Sequence, residues 1–175
     1  MRRLARCVVL LMVAGGGFCA RAVADHQEAT TDKCTHALKQ NWTELSNGKK
    51  YFASDEYDNV EWSVAKGACE KSGSGLASIE REEEMQLLLD AFPEIGFHAS
   101  YWLSASDVGR RAGDFRWGGG PDLPKDSPWW SHDQPSTFRP GRETCVMVLA
   151  NKLHDLPCSS THRYLCQLPA NCKSS

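Results

Sequence analysis

Six cysteines, Cys34, Cys69, Cys145, Cys158, Cys166 and Cys172, constrain this chain more than any other feature, because they come after a segment built for export. Arg2, Arg3 and Arg6 precede an apolar run from Cys7 to Val13, and Ala22-Val23-Ala24 supplies small residues at a cleavage position. That succession of charge, hydrophobe and small side chain is the order of a secretory signal peptide. The run is shorter than the roughly 20 apolar residues needed to span hydrocarbon, and Gly15, Gly16 and Gly17 interrupt it. Residues 1–24 are therefore read as a signal peptide, whose loss removes Cys7 and Cys19. An even set of thiols in an oxidising compartment reads as a disulfide framework. His162, between Cys158 and Cys166, raises zinc as the rival, but no Cys-x-x-Cys pair accompanies it, and the bridges are preferred.

Charge narrows the partners. The whole chain carries 20 Lys and Arg against 22 Asp and Glu, and Arg2, Arg3, Arg6 and Arg21 leave with the leader. The exported part is acidic, which argues against a nucleic-acid partner, since that would need a basic face. No later segment is apolar enough for a membrane span, and no repeat is visible. Residues 25–33 are polar and acidic and read as an N-terminal tail. Residues 34–172 suit one domain with its own core. Asn41-Trp42-Thr43 is an N-glycosylation sequon, which places Asn41 at the surface.

Hydrophobic spacing predicts an α+β chain. Lys50-Tyr51-Phe52-Ala53 reads as a first strand. Asp58 and Glu61 resemble a capping box opening a helix in which Trp62, Ala65 and Cys69 recur at helical spacing, with Gly73 as the stop. A second helix is predicted from near Ser78, with Glu82, Glu83 and Glu84 favoured by the helix dipole. Met85, Leu88, Leu89 and Phe92 form its apolar face, and Pro93 ends it. Tyr101-Trp102-Leu103, Phe115-Arg116-Trp117, Cys145 to Leu149 and Tyr164-Leu165-Cys166 read as short strands. Between Gly118 and Glu143 lies an irregular stretch holding five of the chain's eight prolines. Trp129 and Trp130 lie within it, and disordered segments are poor in aromatics, so it reads as an ordered functional loop.

Several motifs together resemble the C-type lectin and C-type-lectin-like domain family over about Cys34 to Cys172. They are Trp62-x-x-Ala65-x-x-x-Cys69, Gly75-Leu76-Ala77-Ser78-Ile79, Tyr101-Trp102-Leu103-Ser104, and then Trp117, Trp130 and Gln134-Pro135 in order. Glu143-x-Cys145, Asp155-x-x-Cys158 and Tyr164-Leu165-Cys166 close the match. The resemblance implies two helices and short antiparallel sheets around a long ordered loop, stapled by disulfides. It implies the pairings Cys69–Cys166 and Cys145–Cys158. Cys34 and Cys172 remain, either as an intrachain bond, which is preferred, or as the link of a disulfide-bonded dimer; the chain is otherwise a monomer.

In the lectin members a calcium ion bridges protein and two sugar hydroxyls, and calcium wants 6–8 oxygen ligands. By resemblance, Gln134-Pro135-Ser136 stands for the family's Gln-Pro-Asp tripeptide, with a cis bond before Pro135, Glu143 for a later acid, and Leu153-His154-Asp155 for Trp-Asn-Asp. Gln134, Glu143 and Asp155 keep calcium-binding oxygens. Ser136 offers only a neutral hydroxyl, and His154 offers a nitrogen better suited to zinc or copper. The implied carbohydrate site is thus Gln134, Ser136, Glu143, His154 and Asp155, degenerate towards calcium. Trp129 is either a sugar-stacking platform or a cover for the loop. His132 and Asp133 are adjacent, but no nucleophile setting accompanies them, so the chain reads as a binding protein and not an enzyme. By analogy with secreted single-domain invertebrate lectins, the partner is a glycan or glycoprotein on a cell or microbial surface, recognised in innate immunity. The alternative is a calcium-independent module whose long loop binds a protein or another surface ligand.

Overall fold

The structure, a computed structural model, describes residues 41–136, 144–169 and 172. The expected signal peptide and N-terminal tail, Cys34 and Glu143 lie outside the described residues. In chain order the elements are β1 (Thr43–Glu44), β2 (Lys50–Ala53), α1 (Trp62–Lys71), β3 (Gly75–Leu76), α2 (Glu82–Ala91), α3 (Glu94–Phe97), β4 (Tyr101–Ser106), β5 (Thr144–Leu149), β6 (Lys152–Pro157) and β7 (Arg163–Gln167). The strands join in the order β1-β2-β7-β4-β5-β6, with β3 also on β7. All pairings are antiparallel except β4 with β7.

Strand alternation divides the core into two layers. Tyr101, Leu103 and Ala105 of β4 face one way, with Val146, Val148, Leu153 and Leu165, and are covered by Met85 and Leu88 of α2 and Ile95 of α3. Trp102 faces the other way, with Met147, and is covered by Trp62, Ala65 and Cys69 of α1. Successive side chains of a strand point to opposite faces, so one sheet serves both layers. The indoles are polar at one end and each finds a carbonyl: Trp62 Nε1 donates to Leu103 O at 2.8 Å and Trp102 Nε1 to Val60 O at 2.9 Å.

Two bridges staple these layers. Cys69–Cys166 ties α1 to β7, and Cys145–Cys158 ties β5 to the end of β6. Cys172 is also disulfide-bonded. Neither Cys158 nor Cys166 is a free thiolate for a metal, and His162 Nδ1 instead meets Ser100 Oγ at 2.7 Å.

Three local expectations are corrected. The first helix begins at Trp62 with Glu61 as an extended N-cap, and no side chain caps it. Asp58 instead turns back to donate its N–H to Asp55 O, so the Asp58–Glu61 box is not formed. The second helix begins at Glu82 rather than near Ser78. Ser78 is held extended by Gln167 Oε1 on its N–H and by Ser104 Oγ at 2.8 Å, and sheet contacts thereby override the helical pattern. Phe115-Arg116-Trp117 is not a strand: only Arg116 pairs, with Ser106 and Asp122. Phe115 and Trp117 are core anchors instead.

Candidate functional site

The segment joining β4 to β5 positions the candidate site, and both its ends are fastened by one buried side chain. Asp107 is 2% exposed. Its Oδ1 accepts the Thr144 N–H at 2.6 Å, and its Oδ2 accepts the Thr144 hydroxyl at 3.1 Å and the Gly113 N–H at 2.9 Å. Beyond this neck, Phe115, Trp117, Leu123 and Trp130 plug into the main core. Trp130 Nε1 donates to Pro124 O at 2.9 Å, and the Phe115 and Trp130 rings lie 5.2 Å apart. Residues 115–130 are held by burial of their own side chains.

The loop then runs along the outer edge of β6. Leu153 N–H donates to Trp129 O at 2.8 Å and Ser131 N–H to Leu153 O at 3.0 Å, with Trp130 bridged in parallel to Leu153. Two residues further along β6 stands Asp155, so this docking sets Gln134 and Ser136 beside its carboxylate. Asp155 Oδ1 accepts both the N–H and the hydroxyl of Ser136, the latter at 3.0 Å. Gln134 Oε1 accepts the N–H groups of Asp155 and Ser136, each at 3.2 Å. The Gln134–Pro135 bond is cis. Asp155 is 2% exposed, and its Oδ2 is buried without a hydrogen-bond partner among the described residues.

The sequence-derived residues are thus only partly gathered. Gln134, Ser136 and Asp155 form one hydrogen-bonded corner, while Glu143 lies outside the described residues. His154 is on the opposite face of β6, its backbone paired with Met147, whereas Asp155 is paired with Val146. Burial holds the His154 imidazole below the usual histidine range, against the pull of the Leu149 carbonyl and the Asp155 charge. Trp129 packs half-buried against the core and lines a cavity of about 520 Å³ with Trp117, Pro121 and Asp122, to which Gln134, Ser136 and Asp155 do not contribute. His132 and Asp133 form a 2.9 Å pair that is almost wholly exposed, as a solvated loop tip requires. Asn41 is exposed. Sequence reasoning missed Asp107, whose partner Thr144 is 37 positions away and leaves no local pattern.

The residues at the corner fit calcium poorly. Gln134 Oε1 and Asp155 Oδ1 are both turned towards backbone N–H groups, which leaves Asp155 Oδ2 as the unengaged acceptor. Calcium takes 6–8 oxygens and gains affinity with charge count. Among the described residues the corner offers one carboxylate, Asp155, and no cluster of three His, Cys, Asp or Glu able to hold a metal occurs, while Glu143, the second carboxylate of the expected set, lies outside the described residues.

Residues 58–168 match the family model of the lectin C-type domain. The chain belongs to the C-type lectin family. It is 32% identical over 117 residues to a lectin of the tunicate Polyandrocarpa misakiensis, covering 65% of this chain and 90% of the relative. The solved structure of that tunicate's C-type lectin superposes with a TM-score of 0.60 at 29% identity, covering 69% of this chain and 98% of the other. The mouse protein C-type lectin domain family 4 member F is 26% identical over 153 residues, or 85% of this chain, which spans only 26% of that longer protein. A calcium-independent type II antifreeze protein superposes with a TM-score of 0.58 at 25% identity, covering 72% of this chain and 89% of the other. Members of this family are binding modules, and the domain is a binding domain rather than an enzyme. No helix among the described residues is long and apolar enough to cross a membrane.

Proposed function

We propose that this is a secreted carbohydrate-binding lectin that recognises glycans on cell or microbial surfaces through the Gln134–Ser136–Asp155 corner, by direct hydrogen bonding and not through a calcium bridge. The observation that carries the reading is the closed hydrogen-bonded corner itself, rigidly docked on β6 at the rim of the fold. The part-exposed Gln134 amide and Ser136 hydroxyl are groups that pair with sugar hydroxyls, and the buried Asp155 carboxylate positions them. Ser136 stands where the family's tripeptide carries a carboxylate, and His154 stands where the family carries an amide oxygen, so two of the oxygens that would favour calcium are missing from this chain. The calcium-independent antifreeze relative supports the compatibility of this scaffold with a calcium-free life.

The test is a glycan array probed with the full exported protein in calcium and in chelator, beside calorimetric titration with calcium. Glycan binding that survives chelator, with no saturable calcium heat, is the expected result. Binding abolished by chelator and restored by calcium overturns the calcium-free mechanism. Absence of any glycan signal under both conditions overturns the carbohydrate reading and leaves a protein or other surface ligand for the long loop.

A further inference from the structure

A second recess shares no wall with that corner: Gln134, Ser136 and Asp155 take no part in it. It measures about 490 Å³, and Asn41, the acceptor of the glycosylation sequon, is one of its wall residues. We propose that an N-linked glycan on Asn41 folds back into this groove and is held there as a built-in part of the domain. The site is therefore one for the chain's own carbohydrate, independent of the ligand reading above.

The two residues after Asn41 fix the sequon in place. Thr43 pairs with Tyr51 across β1 and β2, and the Trp42 ring packs 6.0 Å from that of Phe52. The middle residue is thereby anchored inward, while Asn41 stays exposed at the rim of the groove. The groove combines an aromatic wall with a charged rim. Phe52, half-buried, supplies the wall with Phe92 and Tyr101 buried beneath it, and Asp55, Glu56, Glu94 and Arg163 form the rim. Arg163 lies over the Tyr101 ring at 5.9 Å.

The rim groups hold one another weakly. Tyr101 donates its hydroxyl to Glu94 Oε1 at 3.4 Å and accepts from Arg163 Nη1 at 3.4 Å. Both are longer than the ordinary range for such bonds, so these donors and acceptors keep capacity for sugar hydroxyls. An apolar wall that takes a pyranose face, beside convergent polar groups, is the composition of a ligand site. Attachment at Asn41 makes the association intramolecular, so contacts too weak to retain a free sugar suffice through effective concentration.

The experiment uses the full chain secreted from a eukaryotic cell line. Peptide mass mapping reads the occupancy of Asn41, and hydrogen exchange compares the intact glycoprotein with the same preparation after complete enzymatic deglycosylation. The expected result is occupied Asn41 and exchange several-fold slower around residues 52–56 and 163 in the glycosylated form. Thr43→Ala, which destroys the sequon without enzyme treatment, is expected to exchange like the deglycosylated protein. Arg163→Ala is expected to keep the glycan but lose the difference in exchange. An unmodified Asn41, or identical exchange with and without the glycan, overturns the proposal.

Discussion

The carboxylate of Asp155 grips Ser136 at two points, accepting hydrogen bonds from its backbone N–H and from its side-chain hydroxyl. The two points separate scaffold from recognition. Ser136→Ala removes the hydroxyl and leaves the backbone bond, so stability is expected to fall by no more than about 1 kcal/mol, the usual net value of one hydrogen bond. Glycan affinity is expected to fall several-fold, because the proposed site loses a hydroxyl. Asp155→Ala strips the partner from both bonds and is expected to abolish glycan binding. Urea unfolding beside array binding separates the two effects. A Ser136→Ala protein with unchanged glycan affinity removes Ser136 from the site.

Asp107 is expected to matter for stability and for ligand binding together. Its carboxylate is the knot between the start of the long loop at Gly113 and the start of β5 at Thr144. Asp107→Ala leaves the buried Gly113 N–H and the half-buried Thr144 N–H and hydroxyl short of an acceptor, which is expected to destabilise the domain by about 2–4 kcal/mol. Proteolysis should then nick the loop well before the sheet. A variant as stable and as protease-resistant as the parent shows that apolar burial of Phe115 and Trp117 alone holds the loop.

How much of the fold is legible in the sequence depends on the range of the interactions concerned. Lys50–Ala53, the body of α1, the α2 stripe and Tyr101–Leu103 are legible because their apolar spacing is local and agrees with burial. The helix starts are not, because Asp58 and Ser78 obey other partners, a turn at Asp55 and the Gln167 side chain of β7. The β5–β6 hairpin is hidden beyond its first strand. Its turn puts Ala150 and Asn151 at positive φ without the glycine that marks such turns. At the site, motif resemblance is enough to group Gln134, Ser136 and Asp155. It does not show that His154, adjacent in sequence, faces the other way, since that follows from the alternation along β6, a strand that the hydrophobic spacing does not predict.

The two described bridges are expected to contribute unequally. Cys69–Cys166 closes a separation of 97 residues and Cys145–Cys158 one of 13. Restriction of the unfolded chain grows with loop length, giving roughly 4–5 kcal/mol for the first and near 3 for the second. Cys69→Ala/Cys166→Ala should therefore lower the urea midpoint more than Cys145→Ala/Cys158→Ala. The reverse order means that packing around Cys145 at the base of the loop outweighs chain entropy.

Acid should loosen the junction between α2 and the β1–β2 turn. Glu84 is 1% exposed at the start of α2. Burial pushes its carboxyl up, but the Lys49 ammonium at 2.6 Å, the Glu80 N–H and the Arg81 guanidinium together bring it below the ordinary carboxylate range. A carboxyl depressed in the folded state binds fewer protons than in the unfolded chain, so its stabilisation is complete above about pH 4.3 and fades as pH falls through the lower folded value. His154 and His162 add an earlier step of the same sign. Burial holds both below the usual histidine range, so stability should already decline as pH drops below about 6.5. Thermal unfolding between pH 7 and pH 3 should show both steps. Glu84→Gln is expected to cost about 3 kcal/mol at neutral pH, because it leaves the half-buried Lys49 facing no counter-charge, and to flatten the lower step. His154→Gln/His162→Gln is expected to flatten the upper one. A Glu84→Gln protein that keeps the parent's full loss of stability below pH 4.3 assigns the acid step to other carboxylates.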